Sequence, residues 1–245
     1  ACSDDAIYLF VGAIVLAILA AIAFSTLVGR DSLSQTNNTV ACAVGLGLLL
    51  TGIQSLGVYD QLSITWMDPI KGLVSIADIF SFNMNVLKTN CLFGSDPLLH
   101  YLGRLLIFPI LLPFIGFVSW KNLAPTDQLV PTFINNAGAL FSICFISVVV
   151  TCVLPLVCYS HPDGTLKSMR ASPSTLCYEG HEHILMAFFG IFTFFVLPIP
   201  FVAVTLYGAW AYPTLVQQVS SRGRLQALRF LYIKFTPECY FYAPF

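Results

Sequence analysis

Charged side chains are scarce in this sequence. Only 9% of the residues are Asp, Glu, Lys or Arg, whereas a soluble domain carries about 25%. The formal net charge is -1, so no strong field favours nucleic acid or acidic substrates. The sequence contains no GxSxG, HExxH, P-loop or TVGYG pattern, and no nucleophile stands beside a recognisable base. These absences argue against an enzyme, and we expect neither a cofactor nor a nucleic-acid partner.

Apolar side chains, by contrast, are abundant. Hydrophobic residues make up 57% of the chain, and the mean hydropathy is +0.82. A water-soluble fold cannot bury this much apolar surface and still cover its outside. About 20 apolar residues cross the hydrocarbon core of a bilayer, and about five stretches approach that length. The expected spans are 7–29, 40–58, 100–120, 132–158 and 184–212.

The pattern within these stretches predicts helices. They are apolar on every face, whereas the strands of a membrane barrel alternate between polar and apolar residues. The expected fold is an all-α integral membrane protein, a single multi-pass domain over 1–245 with a bundle of about five transmembrane helices. We expect outer loops at 59–99 and 159–183 and an inner tail at 213–245. Asp68-Pro69 predicts the start of a helix on the outer membrane surface.

The inner tail is basic and amphipathic. Its sequence RGRLQALRFLYIKF places apolar residues near one helical face and cations on the rest, which predicts a helix that contacts anionic lipid or a protein partner. The residues expected to make this contact are Arg222, Arg224, Arg229 and Lys234. The same cluster favours a cytoplasmic tail, although the overall count of Lys and Arg is nearly balanced between the two sides.

The stretch CYEGHEH, from Cys177 to His183, has two interpretations. In the expected topology it lies outside, where a cysteine with a partner tends to oxidise. Cys91 is the favoured partner of Cys177, and Cys158 is the alternative. The other interpretation is a metal site. Its ligands would be His161, Cys177, His181 and His183, but an HxH spacing does not place two ligands on one helical face, so we expect no metal.

Two features inside the spans also carry expectations. Pro198 and Pro200 in the run FVLPIP remove hydrogen bonds from the carbonyl groups one turn back. Such a break can be a hinge or the lining of a cavity, for which the two prolines are the candidate residues, or a plain kink, which is the interpretation we favour. Asn135 and Asn136 open the fourth span, and their amides need helix partners if they lie at depth.

Several short segments together resemble a known group of proteins. They are Gln54 with Trp66 and Pro69, Asn90-Cys91-Leu92, His161 to Gly164 with Ser168 and Leu176-Cys177, Glu182-His183, and Arg229 to Tyr232 with Pro237-Glu238-Cys239. From about Gln54 to Phe245 the chain resembles the multi-spanning C-terminal region of large protist surface proteins. Those proteins carry cysteine-rich, ephrin-receptor-like repeats upstream, and their membrane region is loosely similar to TRP and polycystin-type channels. The resemblance implies an outer cysteine-rich region before Cys2 and further helices after the aromatic C-terminal run.

These observations lead to three functional expectations. The first is the membrane domain of a receptor-like or channel-like multi-pass surface protein, which anchors an extracellular region and couples it to the cytoplasm. The alternatives are a passive membrane anchor or assembly subunit of a membrane complex, and a transporter with a site at the Pro198/Pro200 break. We expect a fragment of a longer protein in the plasma membrane or another membrane of the secretory pathway. Its partners would be the lipid bilayer and other membrane subunits or further copies of the chain.

Overall fold

A computed structural model provides the fold. It describes residues 12, 15, 18–19, 22–23, 37–60, 67–68, 72, 96–122, 129–161, 166–218 and 221–232. The expected span at 7–29 and the expected outer surface helix from Asp68 lie mostly outside these residues. Cys91 also lies outside them. The helices are α1 (Asn37–Asp60), α2 (Pro97–Asn122), α3 (Leu129–Val153), α4 (His181–Val196), α5 (Pro198–Gln217), α6 (Arg222–Ala227) and α7 (Arg229–Tyr232). The strands are β1 (Cys158–Ser160), β2 (Lys167–Met169) and β3 (Ser172–Leu176).

Among the residues that the structure describes, three helical segments are long and apolar enough to cross a membrane. They are Pro97–Phe117, Leu129–Leu156 and His181–Gln217, and the described part of α1 adds a shorter apolar stretch, Gly45–Gly57. The three long segments coincide with the expected third, fourth and fifth spans. The predominantly helical fold with apolar segments of spanning length is thus confirmed for the described residues, while the membrane context and the count of five spans stay predictions.

The helix ends follow from local chemistry. The side chain of Asp96 accepts a hydrogen bond from the backbone N–H of Leu98 at 2.9 Å, and Pro97 occupies the first helical position, where its missing N–H costs nothing. Pro109 and Pro113 lie inside α2 without ending it. α3 ends at Val153 and is followed directly by a 3₁₀ turn, Leu154–Leu156, which contains Pro155.

The expected outer loop at 159–183 contains a small sheet. Its three strands are antiparallel in the order β1-β2-β3, with Cys158 opposite Met169 and Ser160 opposite Lys167. The register shifts between Ser168 and Met169 where β2 meets β3. Because each strand has only three to five residues, the sheet needs further support from its neighbours.

The chain divides into two compact units, each with its own core. The first unit comprises 1–14, 50–108 and 145–198, and the second comprises 15–49, 109–144 and 199–245. The core of the first unit consists of Tyr101, Met169, Cys177 and Met186, with Leu98, Leu105, Cys158 and Phe189 packed against it. The core of the second unit consists of Ala211, Leu215, Leu228, Phe230 and Leu231, with Ala139, Phe201, Leu225 and Tyr232 packed against it.

The first unit contains one very close approach between helices. A methyl group on Gly190 of α4 would stand 2.5 Å from the carbonyl oxygen of Cys152 in α3 and 2.7 Å from the hydroxyl of Tyr101 in α2. Real Cβ atoms do not approach other atoms so closely, so this position requires glycine. Small residues at such contacts let membrane helices pack by van der Waals attraction.

Candidate functional site

Two cysteines and a histidine meet beside the small sheet. Cys158 begins β1, Cys177 follows β3, and His183 lies in the first turn of α4. Their sulfur and nitrogen atoms all lie within 4.8 Å of one another. Cys158 and Cys177 form a disulfide with a Cα–Cα distance of 6.4 Å. The bond links the two outer strands of the sheet, so it supports a structure too small to be stable alone.

His183 is fully buried, with 0% of its surface exposed. Its Nε2 lies 2.9 Å from the carbonyl oxygen of Pro155, and its Nδ1 accepts the backbone N–H of Tyr178 at 3.3 Å. Because a carbonyl only accepts, these partners assign the hydrogen to Nε2. The ring therefore ties the end of α3 to the turn that leads into α4.

The turn between β3 and α4 is held in an unusual conformation. Tyr178 has φ of 68°, in the left-handed region that non-glycine residues seldom occupy. Its N–H points to His183, and its ring lies edge-on to the imidazole with the ring centres 5.2 Å apart. These two contacts and the neighbouring disulfide at Cys177 hold the turn in place. The cluster thus acts as a clasp that joins the sheet to α3 and α4.

This arrangement does not form the metal site considered for CYEGHEH. Of the four candidate ligands, Cys177 is in the disulfide, and His161 lies with its Nε2 2.7 Å from the hydroxyl of Ser168. His181 is exposed at the start of α4. The three side chains that do come together are Cys158, Cys177 and His183. Both sulfurs are in the disulfide, and both imidazole nitrogens are in hydrogen bonds. Oxidised sulfur is not a metal ligand, so the chemistry of this cluster is structural.

The disulfide corrects the favoured partner of Cys177. The structure joins Cys177 to Cys158, the alternative partner, and not to Cys91, which lies outside the described residues. The reason is the sheet, since the hydrogen bond from the N–H of Cys177 to the carbonyl of Lys167 at 2.7 Å brings the end of β3 to the strand that pairs with β1. No periodicity in the sequence identified strands this short.

The expected hinge coincides with a break between two helices. α4 ends at Val196 and α5 begins at Pro198. Between them Leu197 has φ of -109° and ψ of -67°, and its N–H still donates to the carbonyl of Thr193 at 2.9 Å. Pro200 falls in the first turn of α5, where it displaces no helical donor of its own. The expected single span at 184–212 is therefore two helices, and the hinge itself stays a proposal.

The basic tail forms two short helices, α6 and α7. Arg222 and Arg224 are exposed on α6, Arg229 is half-buried, and Lys234 lies outside the described residues. The apolar face is as expected, since Leu228, Phe230 and Leu231 are buried in the core of the second unit. The tail is thus amphipathic, with two guanidinium groups outward and a row of apolar side chains inward.

Three side-chain hydrogen bonds fasten this tail to other helices of its unit. Asn135 of α3 accepts the backbone N–H of Phe230 at 2.7 Å, which is one of the first donors of α7 and has no partner within that helix. Gln226 donates to the hydroxyl of Thr132 at 3.2 Å. Tyr232 donates its hydroxyl hydrogen to a carbonyl of α5 at 2.8 Å.

The partner of Asn135 was not evident from sequence. The amide needed a partner at depth, as expected, and it also donates to the neighbouring side chain of Asn136 at 3.5 Å. The acceptor oxygen, however, pairs with the backbone of the tail, 95 residues along the chain. Asparagine in an apolar helix indicates that a partner exists, but it does not identify the segment that supplies it.

The architecture defines a class of protein, and comparison with known proteins adds no family to it. The class is a predominantly helical protein with three segments able to cross a membrane and a disulfide-clasped sheet between two of them. No family model, no curated protein and no solved structure matches the chain.

Proposed function

We propose that the chain is the membrane domain of a receptor-like or channel-like surface protein, which anchors an outer region and couples it to the cytoplasm. One observation carries the proposal. The segment His181–Gln217 separates the disulfide from the arginine-rich helix α6. Disulfides persist on the oxidising side of a membrane, and arginines near a span favour the cytoplasmic side. The two independent markers therefore support the same orientation of this segment.

The surface of the same segment supports a lipid environment. Its large apolar side chains are mostly exposed, and Trp210 is 76% exposed. The exposed members include Ile184, Phe188, Phe192, Phe195, Val202, Leu206 and Tyr207. Large exposed apolar patches are rare on soluble monomers and mark contact with a membrane or a protein partner. Trp210 and Tyr207, with ring centres 6.4 Å apart, are the residue types that anchor a helix at the membrane interface.

The break at Leu197 is the element proposed to carry the coupling. It lies within the segment that links the clasped sheet to the basic tail, and Pro198 prevents a continuous run of helical hydrogen bonds across it. A hinge absorbs movement in a few residues at the end of an element. Movement of the outer region would then reach α5 and the tail that packs on it.

The three hydrogen bonds that fasten the tail favour a second candidate, a passive membrane anchor or assembly subunit. In that case Asn135, Gln226 and Tyr232 hold α6 and α7 in one position. The two candidates differ in one respect. A coupling domain changes the exposure of the tail when the outer clasp changes, and a passive anchor does not.

Membrane insertion and orientation are tested first. The full chain is expressed in membranes and washed with alkaline carbonate, and it should remain in the pellet. In sealed vesicles, a membrane-impermeant maleimide applied from the outside should label Cys158 and Cys177 only after reduction, while the tail should be cut by trypsin only from the inside. Loss of the chain from washed membranes, or tryptic cleavage and maleimide labelling on the same side, would contradict the proposal.

Coupling is tested by hydrogen exchange of the tail. Reduction of the outer disulfide with an impermeant phosphine should change amide exchange at 221–232 in the coupling domain. A P198A/P200A double substitution, which restores helical donors at the break, should weaken that response. Unchanged exchange at 221–232 in the wild-type chain would support the passive anchor instead.

A further inference from the structure

An apolar groove opens between α2 and α3 in the second unit. Its volume is about 220 Å³, and its lining consists of Gly116, Trp120, Leu129, Val130 and Phe133. Trp120 is 66% exposed and Val130 is 67% exposed. Gly116 keeps the floor open, because a methyl group there would already be in van der Waals contact with the ring of Phe133 at 3.5 Å. None of these five described lining residues is charged, so the groove suits a hydrocarbon chain.

The helix α6, which carries two exposed arginines, contacts α3 next to this groove. A Cβ on Gly223 would stand 3.7 Å from the ring of Pro131, the residue that follows Val130 in α3. Arg222 and Arg224 flank that glycine on α6, and both are exposed. Arg224 lies 3.5 Å from the hydroxyl of Ser221, a contact that uses one of its five donors.

The charges near the groove favour an anion. The sequence from 213 to 232 contains three arginines and no acidic residue. Lys121 in the last turn of α2 and Asp127, which lies outside the described residues, add one charge of each sign. Arginine binds phosphate through a rigid fork of donors and tolerates partial desolvation better than lysine does.

We propose that the groove and the two arginines form a binding site for an anionic phospholipid. One acyl chain lies in the groove against Trp120 and Val130, and the phosphate binds Arg222 and Arg224. The proposal rests on the proposed membrane function and deepens it by naming the lipid class that the basic tail selects. A zwitterionic lipid fills the groove equally well, but its cationic choline offsets the phosphate charge, so the selection depends on the arginines.

The size of the preference follows from the two charges. Each arginine near an anionic headgroup strengthens binding about fivefold, so the pair gives about 30-fold over a zwitterionic lipid at low salt. Screening shortens the reach of these charges, and the preference should fall as salt rises. Occupation of the groove by the acyl chain is independent of salt.

Quenching of Trp120 by brominated lipids tests the proposal. In the full chain carrying W66F and W210F, Trp120 is the one tryptophan left. Its fluorescence is measured in nanodiscs with increasing fractions of brominated phosphatidylglycerol or brominated phosphatidylcholine. We expect quenching by the anionic lipid at a mole fraction at least tenfold lower. R222Q/R224Q should abolish the difference, and V130F, which fills the groove, should reduce quenching by both lipids.

A control pair separates the site from general charge. K167Q/R170Q removes two cations from the sheet of the first unit and should leave the preference unchanged. Any of three results would overturn the proposal. They are equal quenching by the two lipids when the site is unsubstituted, an unchanged lipid preference in R222Q/R224Q, and full quenching in V130F. If K167Q/R170Q lost the preference for the anionic lipid as fully as R222Q/R224Q does, the proposal would also be overturned, because the preference would then reflect the net charge of the chain. If the chain washes out of membranes, the proposed function fails; if it stays in but shows no preference, only the lipid site fails.

Discussion

Removal of the Cys158–Cys177 disulfide should cost the chain a measurable part of its stability. The two cysteines are separated by 19 positions, and closing a loop of that length in the unfolded chain corresponds to about 3 kcal/mol. In the native structure the bond joins β1 to the end of β3, and Cys177 is buried in the core with Tyr101, Met169 and Met186. We therefore expect C158S/C177S to lower the free energy of unfolding by about 2–4 kcal/mol.

Denaturant unfolding in mild detergent measures this loss. The wild-type chain and C158S/C177S are compared with and without a phosphine reductant, with the far-ultraviolet circular dichroism as the signal. Reductant should lower the midpoint of the wild-type chain by more than it lowers the midpoint of the double variant. C144A is the matched control, because Cys144 is a free cysteine and reductant should lower the midpoint of this variant as it does that of the wild-type chain.

The reasoning fails if the cysteines pair differently. A destabilised C91S together with an unaffected C158S would restore the pairing of Cys91 with Cys177, and a peptide map without reductant would show that link directly. A wild-type midpoint that does not respond to reductant would mean that the bond contributes no stability. Either result would also remove the disulfide as the marker of the outer side.

Three further predictions concern packing and the tail. G190A, at the close helix contact in the first unit, should destabilise the chain by about 1–3 kcal/mol through overpacking. G52A is its control and should be neutral or stabilising, because a Cβ at Gly52 meets nothing within 4 Å. Equal thermal stabilities of the two variants would refute the close approach. N135A leaves a buried N–H of α7 without its acceptor, at a cost of about 1–3 kcal/mol, and should speed tryptic cleavage at 221–232 but not at Lys167; unchanged cleavage there would contradict the fastening. Burial, reinforced by two nearby tyrosines, raises the pKa of Tyr232 to about 12. The contribution of Tyr232 to folding stability should therefore be complete below pH about 10, where a free phenol begins to ionise, and should be lost as the pH rises toward 12. A phenolate absorbance titration measures this, and a Y232F titration that differs from the wild type only near pH 10 would count against it.

The helical spans were the most predictable part of the fold. An expected span at 100–120 became Pro97–Asn122 and one at 132–158 became Leu129–Val153. Both starts differ by three residues, because apolar periodicity reports the middle of a helix better than its ends. The signal for the first start was present in Asp96-Pro97, a cap followed by proline.

The candidate site was less predictable. Cys177 and His183 were recognised from their local concentration of polar residues, but their partners were not. Cys158 pairs with Cys177 through a sheet of three- to five-residue strands, and His183 bonds to Pro155, 28 positions earlier. Such contacts depend on how the chain returns after a turn, which a local pattern does not encode.

The sequence by itself determined that this protein carries long apolar helices and a basic amphipathic tail. Those features follow from composition and period, because each apolar run must either cross a bilayer or be covered, and because a helix repeats every 3.6 residues. Only the tertiary structure decided which cysteine closes the clasp, which backbone satisfies Asn135, and that the helix of Arg222 and Arg224 contacts α3 next to an apolar groove. These are contacts between distant segments, and their geometry is set by packing rather than by any short stretch of residues.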